Sequence, residues 1–375
     1  MNEETAVGDI QKQVQAALDR RVESGAERGV QVAVYRHGEL LVDAVAGVTD
    51  PATGRPVTPA TVFYNYSIGK AATATVVHVL VEQGLFGYDT PVAELWPGFA
   101  AHGKEAVTVR HVLNHTAGVP GLPLDTTVDD ICDWERICAT VADSELWWKP
   151  GTAMGYHAYT YGYILGEIAR RATGKRISQL LAEEVAGPLG VADELYFGMP
   201  ETEHGRLAVL EEPEGAAEMM AQMPQDLPMF KAGPMSLFPS AALGNRTDVL
   251  AADIPAGSKT SARAIARMYA ALLGQLPGTR LISPERLREA TAVSSEGTDQ
   301  VFGNEATWGL GYSLGLPMAA EPRRGVFGMA GAGGSYAYGD TATGIACAVT
   351  KNRLTMDFDV IMEVVALVDE EVAAG

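Results

Sequence analysis

The sequence contains little positive charge. Its 28 lysine and arginine residues are outnumbered by 47 aspartate and glutamate residues, which gives a formal net charge of -19. A protein that binds a nucleic-acid backbone or an anionic membrane surface needs a basic stripe, and this sequence contains none. We therefore expect neither nucleic acid nor a membrane among its partners.

Cysteine and long apolar runs are also scarce. Cys132, Cys138 and Cys347 are an odd number of thiols without metal-ligand spacing. The first 25 residues are polar and lack the apolar core of a signal peptide, and no run reaches the length of a membrane span. These features predict buried thiols in a reducing compartment, hence a cytoplasmic protein. No metal or other cofactor is expected, and the sequence carries no signal for the oligomeric state.

Apolar residues are plentiful, at 47% of 375 residues, which is enough for a large buried core. Both ends of the chain show β patterns: a hairpin over 31–47, and glycine-separated apolar segments after Thr307. The middle shows helical periodicity, and further helices are predicted near each terminus. The predicted helices span Ile10–Val22, Ala71–Leu85, Tyr161–Thr173, Thr260–Leu273 and Met356–Val372.

This order predicts an α+β fold in which an antiparallel sheet is flanked by terminal helices, with a mostly helical domain inserted. Residues 1–65 and 305–375 would form the sheet domain, and residues 66–304 the helical domain. We expect the active site to lie between them.

A serine and a lysine three residues apart mark the start of one predicted helix. Positions i and i+3 share a helix face, so Ser67 and Lys70 can come within hydrogen-bond reach. A serine hydroxyl needs a base to become a nucleophile, and an amine removed from water loses proton affinity. The alternative is that Ser67 only caps the helix, and the spacing alone does not decide between the two.

Acyl transfer also needs a second proton carrier and backbone donors for the oxyanion. Tyr156 follows a Pro-Gly turn at 150–151, and the glycine-rich segment 328–335 is typical of backbone that approaches another group closely. His157 is a candidate to line the site, whereas His78 and His115 are expected to be structural. The methionine-rich loop 211–239 could form an acyl pocket or could merely cover the core.

Taken in order along the chain, these motifs resemble those of the serine β-lactamase-like family, and more narrowly the class C β-lactamase-related esterases. The resemblance extends from about residue 30 to residue 350, and the S-x-x-K signature is typical of penicillin-recognising enzymes. The motifs are Ser67-x-x-Lys70, Leu113–Gly118, Pro150–Thr152 leading to Tyr156, Pro255 before the Thr260 helix, Trp308–Gly311 and the segment at Gly328.

The resemblance implies a β-lactamase/penicillin-binding transpeptidase-like fold and a role for each matching residue. Ser67 would be the acylated nucleophile, Lys70 would help to deprotonate it, and Tyr156 would carry a proton to the leaving group and later activate water. The backbone N–H groups of Ser67 and Ala332, the latter on a strand, would form the oxyanion hole.

Two positions depart from the lactamase pattern. Met329 stands where the lactamases have a lysine or histidine that binds a carboxylate, and Ala158 replaces the asparagine of their Tyr-x-Asn motif. Both changes disfavour β-lactam hydrolysis and D-alanyl peptidase activity. Together with His157, Gly331 and Gly333, these two residues are the candidates for substrate binding.

Three functions remain open at the level of the sequence. The leading hypothesis is a carboxylesterase that forms an acyl-Ser67 intermediate from a small or medium acyl ester, a small-molecule substrate. The alternative is an acyltransferase that passes the acyl group to an alcohol or amine acceptor in a natural-product pathway. The third is a non-catalytic binding protein that has kept the fold.

Overall fold

A computed structural model describes residues 3–224, 226–319, 323–355 and 357–374. Its strands, β1 to β12, are Gly29–Arg36, Glu39–Asp50, Arg55–Pro56, Phe63–Tyr64, Leu195–Tyr196, Lys259–Thr260, Ser295–Thr298, Glu305–Trp308, Ser313–Leu314, Val326–Gly331, Ser335–Asp340 and Ile345–Lys351. Its helices, α1 to α14, are Glu3–Glu23, Ile68–Glu82, Val92–Leu95, Val109–Leu113, Val128–Cys132, Trp134–Ala142, Thr160–Thr173, Ile177–Leu180, Ala216–Gln222, Ala241–Gly244, Thr247–Ala251, Ala262–Leu272, Pro284–Thr291 and Asp359–Ala374. Short 3-10 or π segments lie at Pro97–Gly103, Leu181–Ala186, Glu201–Arg206, Pro228–Lys231 and Met235–Leu237.

The main sheet joins the two ends of the chain. Its strand order is β3-β2-β1-β12-β11-β10-β9-β8-β7, and each neighbouring pair is antiparallel. Strand β1 lies between β2 and β12, so that Val32 is paired with both Ala44 and Val349. A second, three-stranded sheet has the order β4-β6-β5. The predicted α+β fold with an antiparallel sheet is confirmed.

The two faces of the main sheet pack against different helices because side chains alternate along a strand. Val30, Val32 and Val34 of β1 face the core formed with the terminal helices α1 and α14. Ala33 and Tyr35 belong to the larger core on the other face, where α12 packs across β1, β11 and β12. Alternation in the sequence therefore determines which residues meet the terminal helices.

Helix α2, which follows Ser67, is buried along almost its whole length, from Ile68 to Val81. A helix that is apolar on all sides must be enclosed by other elements, and α2 packs against α7, β10 and β11. Gly69 allows the closest approach, since a Cβ there would lie 2.2 Å from the carbonyl carbon of Gly257. This packing fixes the first turn of the helix. No helix within the described ranges is both long and apolar enough to cross a membrane.

Several predicted elements differ from the observed ones. The first of the β segments predicted after Thr307, Trp308–Leu314, is not one strand, because the N–H of Gly309 donates to the carbonyl of Tyr312 and forms a turn between β8 and β9. The loop 211–239 contains a helical stretch, α9, and its residue 225 lies outside the described residues, as does the predicted helix start at Met356.

The division into a sheet domain and a helical domain stays a prediction. Within the range 66–304, strand β7 belongs to the main sheet, and α12 packs on strands β1, β11 and β12 of that sheet.

Candidate active site

Ser67 and Lys70 meet at the start of α2. The Lys70 Nζ donates to the Ser67 Oγ at 3.1 Å and to the carbonyl of Ala256 at 3.1 Å. Ser67 occupies the N-cap position, but its hydroxyl caps no backbone N–H among the described residues. The geometry thus favours a reactive hydroxyl over a simple cap. Tyr66, directly before it, holds a left-handed backbone with φ of 45°, a conformation that non-glycine residues adopt rarely.

Lys70 is only 1% exposed, and it lies in surroundings suited to a base. Burial lowers its pKa to about 7, because a charged ammonium group is poorly solvated there. A substantial share of the amine is therefore neutral near pH 7. A neutral lysine beside a serine hydroxyl can accept the proton that the nucleophile must lose.

Tyr156 completes the group. The Lys70 Nζ lies 4.9 Å from the centroid of its ring. Burial raises the pKa of Tyr156, and the nearby Ser67 side chain opposes that rise. The structure thus brings together the three side chains that the sequence singled out, although they come from two separate segments.

Two of the sequence motifs form one structural unit that carries Tyr156. The N–H of Trp147 donates to the carbonyl of Gly118 at 2.7 Å, and the N–H of Gly151 donates to the carbonyl of Thr116 at 3.0 Å. The turn after α4 therefore pairs with the loop that leads to Tyr156.

Ala332 lies in the turn between β10 and β11, not on a strand as predicted. The turn is tied to the residues just before the nucleophile, because the Ser335 Oγ donates to the Asn65 Oδ1 at 3.2 Å. Gly331, buried at the end of β10, comes so close that a Cβ there would lie 2.2 Å from the Asn65 carbonyl oxygen. The Ala332 turn therefore lies beside the start of α2, and the oxyanion hole stays a prediction.

His157 and Gly333, two of the substrate-binding candidates, have close neighbours inside the protein, and their roles in substrate binding stay predictions. The His157 ring is fully buried; its Nε2 accepts from the N–H of Val119 at 3.1 Å, and its Nδ1 is 2.7 Å from the carbonyl of Gly155. Burial lowers its pKa to about 4. These bonds hold the His157 ring in place. At Gly333, φ is +93° and a Cβ would lie 2.4 Å from the Leu354 side chain, so this position faces Leu354.

Ala158 is half-buried two residues before α7, and Met329 is buried on β10. Their roles in substrate binding stay predictions. His78 is buried between the Tyr88 hydroxyl, at 2.8 Å, and the Leu310 carbonyl, at 2.9 Å, which fits its expected structural role. In the described part of the chain, no three His, Cys, Asp or Glu side chains come together as metal ligands would.

A cleft of about 870 Å³ opens beside Tyr156. Three acidic residues line it, and none of the described lining residues is a lysine or an arginine. No residue of the loop 211–239 is among these lining residues, whereas Leu237 of that loop is buried and its carbonyl accepts from the Tyr159 hydroxyl at 2.7 Å. This part of the loop packs on the core, and an acyl pocket formed by the loop stays a prediction. The lining includes Phe302, Trp308, Leu314, Met318, Met329 and Tyr336, with Glu296, Asp299 and Glu305.

Sequence reasoning missed most of this lining. Trp308 and Met329 belonged to recognised motifs, but Phe302, Met318 and Tyr336 carry no local signal. They meet only because β7 to β11 are neighbours in the sheet. Pairing between distant strands cannot be read from local periodicity.

Known proteins resemble this chain over most of its length. The beta-lactamase family model matches residues 14–369. Esterase/beta-lactamase LipL of Mycobacterium tuberculosis is 36% identical over 87% of this chain and 77% of its own length. A crystal structure of a family VIII carboxylesterase superposes with a TM-score of 0.88 at 33% identity, covering 96% of this chain and 97% of the other. The crystal structure of a penicillin-binding protein homologue from Caulobacter crescentus superposes with a TM-score of 0.81 at 32% identity, covering 98% of this chain and 97% of the other. This protein belongs to the beta-lactamase family.

Proposed function

We propose that the protein is a serine hydrolase with carboxylesterase activity on small or medium acyl esters. The observation that supports this most strongly is the 3.1 Å hydrogen bond between Lys70 and Ser67, made by a buried lysine whose pKa is about 7. Relatives named as esterases support the same assignment. The intact arrangement of Ser67, Lys70 and Tyr156 counts against a binding protein that has lost its chemistry.

The proposed reaction has two halves. In acylation, the Ser67 Oγ attacks the ester carbonyl and its proton passes to Lys70, while the N–H groups of Ser67 and Ala332 stabilise the oxyanion. Cleavage of the C–O bond releases the alcohol, which takes its proton through Tyr156. In deacylation, water gives a proton to Tyr156 and attacks the acyl carbonyl, the bond between the Ser67 Oγ and the acyl carbon breaks, the free acid leaves, and the Ser67 oxygen takes its proton back from Lys70.

Activity assays with p-nitrophenyl esters of increasing acyl length test this proposal. Wild type should release nitrophenol and free acid, and Ser67→Ala should release neither above the uncatalysed rate. Equal turnover by the two proteins would refute the proposal.

The cleft also supports a preference for neutral substrates. Met329 supplies no positive charge, and Glu296, Asp299 and Glu305 repel anions. A matched pair of substrates tests this preference: the butyryl esters of 4-hydroxybenzoate and of its methyl ester. Wild type should hydrolyse the neutral ester faster. Met329→Lys should raise kcat/KM for the anionic ester, relative to kcat/KM for the neutral ester, by about tenfold, which is the effect of one favourable charge contact. Met329→Leu is the control for volume. An unchanged ratio in the lysine variant would rule out this position as a determinant.

Acyl transfer to an alcohol or amine is the second candidate. The size of the cleft beside Tyr156 supports it, because an acceptor could bind there while the acyl group occupies Ser67. The partition of product between free acid and acylated acceptor, measured against acceptor concentration, distinguishes the two reactions. Saturation by the acceptor at low concentration would indicate a binding site and a transferase.

A cytoplasmic location remains part of the proposal. Its support is the state of Cys132, Cys138 and Cys347, which are all unpaired thiols, as is usual in a reducing compartment. Fractionation of the source cells tests it.

A further inference from the structure

His115 binds the backbone on both sides of Tyr156. Its carbonyl accepts from the N–H of Gly155 at 3.1 Å. Its Nδ1 accepts from the N–H of His157, also at 3.1 Å. One residue therefore holds the N–H groups of the two residues that flank the tyrosine, which restricts the backbone from which the Tyr156 side chain projects.

The second of these bonds determines the state of the imidazole ring. A backbone N–H can only donate, so Nδ1 must be unprotonated and the neutral ring carries its proton on Nε2. Burial lowers the pKa of His115 well below its usual value, and a positive charge on His157 or Lys70 would act in the same direction. Tyr156 and Tyr161 are the other titratable groups that contact the ring. The ring is thus kept in the form that can accept the hydrogen bond.

His115 holds this place at a conformational cost. Its φ is 61°, in the left-handed region that non-glycine residues rarely occupy, and its Nε2 is buried without a hydrogen-bond partner among the described residues. The surrounding rings enforce the arrangement: Tyr161 stacks on the imidazole at 5.0 Å between centroids, and Trp308 meets it edge-on at 4.4 Å. The Tyr161 hydroxyl in turn donates to the Lys70 carbonyl at 3.4 Å. His115 is therefore packed between both halves of the site.

We propose that His115 is a positioning residue that aims Tyr156 at Ser67 and Lys70 by accepting hydrogen bonds from the N–H groups of the two flanking residues, Gly155 and His157. The inference rests on the proposed role of Tyr156 in proton transfer. It assigns a function to a histidine that contacts no reacting atom. In this proposal its action passes through the tyrosine.

Three variants separate the imidazole acceptor from the left-handed backbone. His115→Ala removes the acceptor, and we expect kcat/KM for an activated ester to fall by about 10²-fold, the usual effect of a small misplacement. His115→Asn places an amide oxygen where Nδ1 was and tolerates a positive φ, so it should restore most of the lost activity. His115→Gln is the matched control, because its amide oxygen lies one bond farther out. Thermal melting of each variant reports the folded fraction, to which rates are normalised.

A double-mutant cycle with Tyr156→Phe tests the pathway. If His115 acts through the tyrosine, His115→Ala should add little further loss of kcat in the Tyr156→Phe enzyme, measured with an activated ester. The inference would be overturned if His115→Ala lowered kcat as much in the Tyr156→Phe enzyme as in wild type, or if His115→Asn were no more active than His115→Gln. Either result would leave the proposed role of Tyr156 unaffected. Wild-type rates for Tyr156→Phe alone would instead refute the proposed role of Tyr156, and the positioning role with it.

Discussion

Two lysines of this protein are equally buried but have different hydrogen-bond partners. Lys70 and Lys259 are both buried, and burial lowers the pKa of each to about 7. Lys259 donates to the carbonyls of Phe197 and Val249, the latter at 3.1 Å, and all its hydrogen-bond partners among the described residues are backbone groups. Lys70 has a serine hydroxyl as a partner. A lowered pKa makes a lysine able to act as a base, but the position of its partner decides whether it does.

This difference predicts the pH dependence of acylation. Only the neutral amine can take the Ser67 proton, so the acylation rate constant should rise with pH through about 7 and level off above it. Lys70→Arg keeps a permanent charge and should lose about 10² to 10⁴ in rate. Stopped-flow release of nitrophenol at a series of pH values measures both.

Lys259→Met is the control for the loss of a buried lysine with a similar pKa. The acylation rate constant of the folded Lys259→Met protein should depend on pH as it does in wild type. If that variant lost the rise near pH 7, or Lys70→Arg retained it, Lys70 would not be the base.

At the scale of single residues, the sequence predicted the three reactive side chains but not the direction in which each neighbouring side chain points. Ser67 and Lys70 share a helix turn, which spacing reveals, and Tyr156 followed a recognisable turn. His157 was expected at the cleft because it adjoins Tyr156. Adjacent side chains in non-helical backbone tend to point to opposite sides, and His157 turns into the protein to bond Val119 and Gly155.

Among the elements, the end of β10 and the start of α2 determine the site together. Gly331 packs against the Asn65 carbonyl and the Ile68 side chain. The glycine density of this segment indicated a close approach of backbone, but nothing local identified α2 as the partner. The Ala332 turn follows directly, so its distance from Ser67 depends on this contact.

Replacing Gly331 should therefore impair catalysis. A Cβ in Gly331→Ala would lie 2.2 Å from the Asn65 oxygen, so β10 must move and displace the Ala332 N–H. We expect kcat to fall by about 10² to 10³, as when an oxyanion donor is lost, with a smaller change in KM. Steady-state kinetics on the purified variant measures this.

Gly205→Ala is the matched control, because a Cβ there meets nothing within 4 Å. It should leave kcat unchanged. A Gly331→Ala enzyme with normal kcat would contradict the role given to this contact.

On the scale of the whole molecule, the two ends of the chain close the main sheet. Strand β1 pairs with β12, and α1 packs beside α14. A buried ion pair reinforces this closure: Lys351 Nζ binds the Glu27 carboxylate, with the two side chains 1% and 2% exposed. Lys351 also lies close to the turn that carries Ala332, with Nζ near Gly334.

The α+β architecture was predictable because the β patterns lie at both termini. The ion pair between Lys351 and Glu27 joins residues that are far apart in the chain, and it gives no sequence signal.

Breaking this pair should destabilise the whole fold. Lys351→Met leaves a buried carboxylate without its partner and should lower the free energy of unfolding by about 3–5 kcal/mol. The double variant Glu27→Leu with Lys351→Met should recover much of that loss. Urea denaturation measures all three proteins.

Arg288→Ala, which removes one partner of the exposed pair Arg288–Glu285, is the control and should change stability little. A Lys351→Met protein as stable as that control would show that the buried pair contributes nothing to the closure.

The central claim is that Ser67 becomes acylated. Intact-protein mass spectrometry after rapid mixing with p-nitrophenyl butyrate tests it most directly, with peptide mapping of the adduct and Ser67→Ala as control. We predict that wild type gains the mass of one butyryl group on Ser67, that this adduct decays in water as free butyrate appears, and that Ser67→Ala gains none. Hydrolysis by wild type with the adduct on another residue, or equal labelling of Ser67→Ala, would contradict the claim.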